Sequence, residues 1–351
     1  MKLSNCIEII SGGTPSTSKS DFWDGDIPWI SIKDFNNSFK YIYKTEKSIT
    51  KQGLEKSSTN MLYKNDIIIS ARGTVGCLAQ IYYPMAFNQS CYGIRTINKD
   101  LMQNYLYYWL IANIDKFKKQ THGAVFDTIT KSTFDNIEIN YPSLVMQQHI
   151  VDIIGSLDDK IENNNKIIDK LWQKLQLVHT DFKSKNELVE KNILELADIK
   201  YGKGIPTSKI LKDGLYSVYG SNGIIGYLDN YIFKEHKIAI SCRGNSSGII
   251  HLTDENSTVT SNSLVLDFKN FDYTYYFFLE FMYKGLYEYK TGSAQPQITI
   301  DNLKILNLQV PKNINDYVKN INDSVEYTFC LKKENQKLFL LKQFYLKKFF
   351  G

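Results

Sequence analysis

Between Tyr141 and Asn192 apolar residues recur at alternating steps of four and three: Ile150, Ile154, Leu157, Ile161, Ile168, Leu171, Leu175, Val178 and Phe182. One step is double, and Asn164 stands at the skipped position. The segment carries neither Gly nor Pro after Gly155. This is a heptad seam, and about 33 residues at ~1.5 Å each make a rod roughly 50 Å long. Its remaining faces are polar, so the pattern predicts a long spacer helix that requires a partner helix.

A second pattern is a repeat with a period near 170. Gly123–Pro142 and Gly292–Pro311 align without gaps, pairing Ile129 with Ile298, Thr130 with Thr299, Phe134 with Leu303, Ile137 with Leu306 and Ile139 with Leu308. Each copy ends in alternating apolar residues before a proline, which reads as a strand leaving a domain. Upstream, Ile67–Gly73 and Ile238–Gly244 each run a β-branched strand into Ser-x-Arg-Gly and a polar, glycine-containing loop. The openings Ile9–Pro15 and Ile199–Pro206 match less strongly. Tyr105–Phe117 and Tyr273–Leu286 read as amphipathic core helices. Finally Leu331, Leu338, Leu341 and Tyr345 follow Ile161, Ile168, Leu171 and Leu175 at the same interval, with Glu334 in the place of Asn164.

The expected order is therefore globular domain (1–142), long helix (143–192), globular domain (193–311), long helix (312–351). The fold class is α+β: two similar α/β domains separated by two long helices that pair as an antiparallel coiled coil. Pairing residues would be Ile154, Leu157, Ile161, Asn164, Ile168, Leu171, Leu175, Leu331, Leu338, Leu341 and Tyr345. Antiparallel pairing would set the domains at opposite ends of the rod about an approximate two-fold axis. Heptads alone do not fix orientation, and Asn164 and Glu334 are either register devices or solvated. On the closing helix the seam weakens before Leu331, with Ser324 and Tyr327 at seam positions.

Composition narrows the class. With 351 residues and 43% hydrophobic content the chain has room for two real cores. No run approaches 18 apolar residues, so neither a membrane span nor a signal peptide is expected. Cys6, Cys77, Cys91, Cys242 and Cys330 are odd in number, scattered and without a C-x-x-C pair. That suits reduced thiols in a cytoplasm and argues against a disulfide framework or structural zinc. The net charge of +5 permits a nucleic-acid binder without demanding one.

Two divergent domains held at a fixed distance suit the reading of two parts of one extended ligand. Duplex DNA fits, since half-sites one helical turn apart lie roughly 34–36 Å from each other. Arginine usage points the same way: only Arg72, Arg95 and Arg243 occur, and Arg72 and Arg243 occupy equivalent repeat positions. A guanidinium fork matches guanine O6/N7 or a phosphate. The plainer alternative is an Arg–carboxylate pair that holds each loop, and both stay open on sequence. The candidate DNA contacts are Ser11, Gly12, Gly13, Thr14, Ser31, Lys33, Ser70, Arg72 and Thr74 in the first domain. In the second they are Lys200, Tyr201, Lys203, Tyr219, Ser221, Asn222, Ser241, Arg243 and Asn245. Each polar loop is otherwise an ordinary turn.

A search for catalysis finds no phosphate loop, no H-x-x-x-H pair and no G-x-S-x-G elbow. Asp158-Asp159-Lys160 reads as a solvated helix face. The expectation is a recognition protein with no catalytic residue, metal or cofactor of its own.

Several motifs in order carry a resemblance across essentially the whole chain. Ile10–Pro15 followed by Trp23–Asp34 (WDGDIPWISIKD) resembles the first target-recognition domain of type I restriction–modification specificity subunits. Pro142-Ser143-Leu144 with Gln147-Gln148 and Ile153–Glu162 resembles their central conserved helix. Tyr219–Tyr227 (YGSNGIIGY) resembles the start of a second recognition domain. The resemblance implies a non-catalytic subunit that reads a split, asymmetric DNA target, its paired helices acting as a ruler for the unspecified spacer. It also implies two methyltransferase partners that use S-adenosylmethionine to methylate adenine N6; restriction subunits, which use ATP and Mg, can join in that family, and the sequence leaves open whether one does here. The chain is rather short for that family. Alternatives are the recognition module of another restriction system, or a structural coiled-coil adaptor.

Overall fold

The computed structural model describes residues 1–35, 39–121, 128–212, 214–292 and 295–351. The chain divides into two compact units, Met1–Lys166 with Lys333–Gly351, and Ile167–Lys332. The repeat segments at 123–127 and 293–294 lie outside the described residues.

The first unit contains strands β1 (Ile7–Ser11), β2 (Trp23–Ile30), β3 (Tyr41–Ile42), β4 (Lys47–Ile49), β5 (Met61–Leu62), β6 (Ile67–Ser70), β7 (Leu78–Ile81), β8 (Met85–Phe87) and β9 (Cys91–Thr96). Its shorter helices are α1 (Lys51–Glu55), α2 (Gln103–Thr121) and α3 (Lys131–Asp135). One sheet has the order β1-β9-β6-β7-β3, the other β4-β2-β8-β5. Strand β6 is buried along its whole length, and its partition explains its unbroken β-branched run. Ile67 and Ile69 join the core under α2, whereas Ile68 joins the core with Ile30, Leu62 and Phe87 of the second sheet. A strand buried on both faces has no polar side to alternate with.

The long helix α4 spans Leu144–Lys185. Its start buries Ile150, Val151 and Ile154 in the first unit's core.

The second unit repeats the plan. It contains β10 (Leu188–Asn192), β11 (Ala197–Tyr201), β12 (Tyr216–Gly220), β13 (Gly223–Leu228), β14 (Ile238–Ser241), β15 (Ile250–Leu252), β16 (Thr258–Val259), β17 (Ser263–Phe268) and β18 (Asn307–Pro311). Helices α5 (Ile193–Leu196), α6 (Asp272–Lys284) and α7 (Ile300–Lys304) precede the closing helix α8 (Ile314–Phe350). Its main sheet, β11-β17-β14-β15, has the strand order of β1-β9-β6-β7, and β12 pairs with β16 in parallel as β2 does with β8. Here too the central strand divides its side chains: Ile238 and Ile240 face the helices, and Ala239 packs with Tyr219, Val259 and Val265.

The repeat also survives in the caps. Thr130 and Thr299 each cap a five-residue helix with a capping box. The backbone N–H of Ile129 donates to Ala71 O, and that of Ile298 to Cys242 O, both at 3.0 Å. The expected closing strand is β18 in the second unit, paired with β10. In the first unit Ile139 instead donates to Met1 O (2.9 Å) beside a single Lys2–Glu138 bridge.

Within each unit the two long-helix segments run antiparallel. In the first, Lys342 Nζ reaches Asp158 Oδ1 (2.5 Å) and Asn164 Nδ2 donates to Glu334 Oε2 (2.7 Å), so the numbers fall along α8 as they rise along α4. In the second, Phe182 stacks on Tyr317 with ring centroids 4.4 Å apart, and Lys332 lies over Trp172. The α4 stripe was legible, but the α8 stripe needs correction. Leu341 is exposed and Leu346 is buried, and Val325, Thr328 and Phe329 are buried where Ser324 and Tyr327 were expected to face the seam. Both helices also contribute to domain cores. Trp172, Leu175, Val178 and Phe182 pack with Ile314, Tyr317, Ile321 and Phe329. No helix among the described residues is long and apolar enough to cross a membrane.

Candidate nucleic-acid interface

In the first unit four loops converge beyond the ends of β1, β2, β6 and β8. Gly13 N donates to Phe87 O (3.0 Å), Asn88 N to Ile30 O (2.9 Å) and Ala71 N to Ser90 O (2.8 Å). These three bonds tie the 11–14, 31–34 and 70–76 loops to a connector, Asn88–Ser90, that joins β8 to β9. The two opening glycines are required by their neighbours: a Cβ on Gly12 would lie 2.1 Å from Asn88 O, and one on Gly13 2.4 Å from the Ser58 backbone. Glycine is needed at both candidate positions for close packing inside the protein.

The second unit builds the same frame. Lys203 N donates to Val259 O (2.8 Å), Thr260 N to Tyr219 O (2.8 Å) and Cys242 N to Asn262 O (3.0 Å). The loops at 201–204, 219–222 and 241–248 thereby meet the connector from Thr260 to Ser263. Gly73 and Gly244, which follow the two arginines, both take positive φ (74° and 70°), as do Gly76 and Gly248 (87° and 85°) that close the loops. Such backbone favours glycine, so the Ser-x-Arg-Gly signature encodes the turn that carries the arginine.

The three arginines separate by environment. Arg95 is held twice by Asp66, through Nε (2.9 Å) and Nη2 (2.5 Å), and again by Glu8 (3.2 Å). The hydrogen bond to Asp66 raises its already high pKa. Arg72 and Arg243 are exposed and make no ion pair among the described residues. The proposed internal carboxylate partner for these two loops is not found there, and the guanidinium groups face solvent at equivalent loop tips.

Other candidates sort by burial. Thr74, Tyr201, Lys203, Asn222 and Asn245 are exposed on these loops, and Ser11, Gly12, Thr14, Ser31 and Ser221 are partly exposed. Ser70 and Ser241 are fully buried and are corrected to loop anchors. Ser70 Oγ donates to Thr74 O (2.5 Å) and accepts from Cys77 N (2.8 Å), while Ser241 Oγ donates to Ser221 O. Tyr219 is also buried; its hydroxyl accepts from Asp254 N (3.1 Å), and burial pushes its pKa up. Lys200 is engaged with Asp267 (2.9 Å). Burial would raise the Asp267 carboxyl, but hydrogen bonds from Lys237 and Lys200 outweigh it and hold its pKa below the ordinary value. Lys33 pairs with Glu46 at 3.5 Å with both side chains well exposed, a contact of little energetic weight. The connectors Asn88-Gln89-Ser90 and Ser261-Asn262 were missed, because short polar stretches between strands carry no local signature. Their alignment through the repeat would have found them. No group of three or more His, Cys, Asp or Glu suited to a metal occurs among the described residues.

A duplicated α+β domain that presents the same arginine loop on the same backbone frame, with each copy packed on paired long helices, defines a two-domain recognition scaffold. The chain belongs to the type I restriction modification DNA specificity domain family, which it matches over residues 1–173 and 185–343. Among relatives, the Type I restriction enzyme MjaIX specificity subunit of Methanocaldococcus jannaschii is 33% identical over 200 residues, covering 56% of this chain and 41% of that protein. The Type I restriction enzyme EcoprrI specificity subunit of Escherichia coli is 24% identical over 337 residues, covering 89% and 83%. The crystal structure of the type I restriction-modification system S subunit from M. genitalium shares the fold, with a TM-score of 0.64 at 18% identity over 100% of this chain and 95% of that one.

Proposed function

We propose that this chain is the DNA sequence-specificity subunit of a type I restriction–modification complex. Each domain reads one part of a split target in duplex DNA through its arginine-bearing loop cluster, and α4 with α8 fixes the separation. The observation that carries this is the duplicated frame: equivalent hydrogen bonds hold Arg72 and Arg243 on equivalent positive-φ turns, exposed and without a carboxylate partner among the described residues. Arginine on a rigid turn suits bidentate contact with guanine or phosphate.

In this reading the chain contributes recognition and the chemistry belongs to its partners. Two methyltransferase subunits dock on the helices and transfer a methyl group from S-adenosylmethionine to adenine N6. Restriction subunits that use ATP and Mg join them, in the cytoplasm. The test is co-expression with a methyltransferase partner. The expected result is a complex with two methyltransferase chains per copy of this chain, which methylates adenine in a split target while the methyltransferase alone does not. A chain that never associates with a methyltransferase would refute the proposal.

A further inference from the structure

We propose that Gln89 is a specificity-determining residue of the first domain, held by Thr14 so that its amide reads an adenine edge. The inference rests on the DNA-specificity reading above and names a residue of that site.

The two domains share their frame down to individual hydrogen bonds, so whatever distinguishes their targets must lie in the side chains mounted on it. Gly13 N to Phe87 O matches Lys203 N to Val259 O, Asn88 N to Ile30 O matches Thr260 N to Tyr219 O, and Ala71 N to Ser90 O matches Cys242 N to Asn262 O. Between the second and third anchors the first domain places Gln89 and the second Ser261. Opposite that position the first domain has Thr14 and the second Gly204. Gln89 with Thr14, against Ser261 with Gly204, is therefore one of the facing pairs at which the two domains differ.

Gln89 is exposed, yet its side chain is already held, because the Thr14 hydroxyl donates to its Oε1. The flanking backbone is pinned as well: Ser90 N donates to Asn88 Oδ1 (3.1 Å), and Arg72 N donates to Ser90 O (3.2 Å). The last bond sets the Arg72 backbone one residue from Gln89. Thr14 uses one lone pair of Oε1, and the other, with both Nε2 hydrogens, makes no further hydrogen bond among the described residues. An acceptor and a donor side by side complement adenine N6–H and N7, as the arginine fork complements guanine. A side chain fixed before binding loses less freedom on contact, which favours recognition.

The experiment maps methylated adenines for the complete complex with its methyltransferase partner, carrying wild type, Gln89→Ala, Gln89→Glu or Thr14→Val. With Gln89→Ala, discrimination at one position of one half-target falls by roughly 10- to 100-fold, and the other half-target is unchanged. With Gln89→Glu that position shifts towards cytosine, whose N4 amine donates to a carboxylate that Thr14 can still hold. Thr14→Val weakens the same position without moving it. The proposal is overturned if Gln89→Ala leaves the recognised sequence unchanged, or if both Gln89 variants abolish methylation although the complexes fold and assemble. A wild-type complex that methylates no split target would refute the broader functional reading instead.

Discussion

Asn164 donates a 2.7 Å hydrogen bond to Glu334, the residue that stands 170 positions later at the same place in the repeat. Its Nδ2 also donates to Asn335 Oδ1 (2.9 Å), and Asn335 donates to Asn165 (2.9 Å), so a second equivalent pair meets beside the first. Residues that contact their own counterparts are what an isologous contact produces. Asn164 is fully buried, and its Oδ1 has no hydrogen-bond partner among the described residues. An apolar residue there would contribute roughly 1.5–3 kcal/mol of burial. Leucine would regain that burial but leave Glu334 and Asn335 without their donor, and any other alignment would leave Asn164 itself unpaired, so the layer suits a register device.

Asn164→Leu should therefore leave thermal stability within about 1 kcal/mol of wild type, since a buried, half-satisfied amide is lost together with its bonds. The effect should appear in register: altered assembly with the methyltransferase, or an altered spacing between the two parts of the methylated target. Unchanged assembly and spacing would make Asn164 an incidental polar residue.

Arg95→Ala and Arg72→Ala should behave oppositely. Removing Arg95 strands the buried Asp66 carboxylate and should cost about 3 kcal/mol in denaturant unfolding. Removing Arg72 should change stability by less than about 0.5 kcal/mol and weaken DNA binding by the complex roughly 10-fold. Equal destabilisation by both would mean that Arg72 holds its loop.

Ser70→Ala should destabilise the first unit by about 1–3 kcal/mol, because Cys77 N and Thr74 O lose their partner at a fully buried position. Ser70→Thr should recover part of the loss where the methyl group can be accommodated. Chemical unfolding of the two variants reads this directly.

Acid should act on the second unit through Glu280. Burial alone would raise its pKa, but hydrogen bonds from His179 and Lys183 outweigh burial and hold it at about 2, against an ordinary 4.5. A depressed folded pKa gives stability that is complete above 4.5 and is lost as the pH falls from there towards 2. Glu280→Gln should lower stability at pH 6 and flatten the loss between pH 4.5 and 2. Urea midpoints across that window decide it, and an unaltered slope would remove Glu280 as a source of acid sensitivity.

The order of domains and helices was legible because the repeat is written in residues that the backbone requires. Ser70 and Ser241 anchor their loops, Gly73 and Gly244 take positive φ, and Thr130 and Thr299 cap matching helices. The α8 seam was misread because Leu338–Phe350 offers apolar residues on several faces at once. Periodicity could not decide that Leu341 points outward and Leu346 inward. The site was half legible for a related reason: a Ser or Tyr near a loop looks the same whether it is a buried anchor, as Ser241 and Tyr219 are, or an exposed tip. Burial separates the two, and burial depends on contacts remote in sequence.

Whether each domain reads its own part of one DNA target is decided by mapping methylated adenines for complexes that carry Arg72→Ala or Arg243→Ala. Arg72→Ala should relax one part of the split target and Arg243→Ala the other, with the spacing unchanged. Two maps identical to that of the wild type would contradict it.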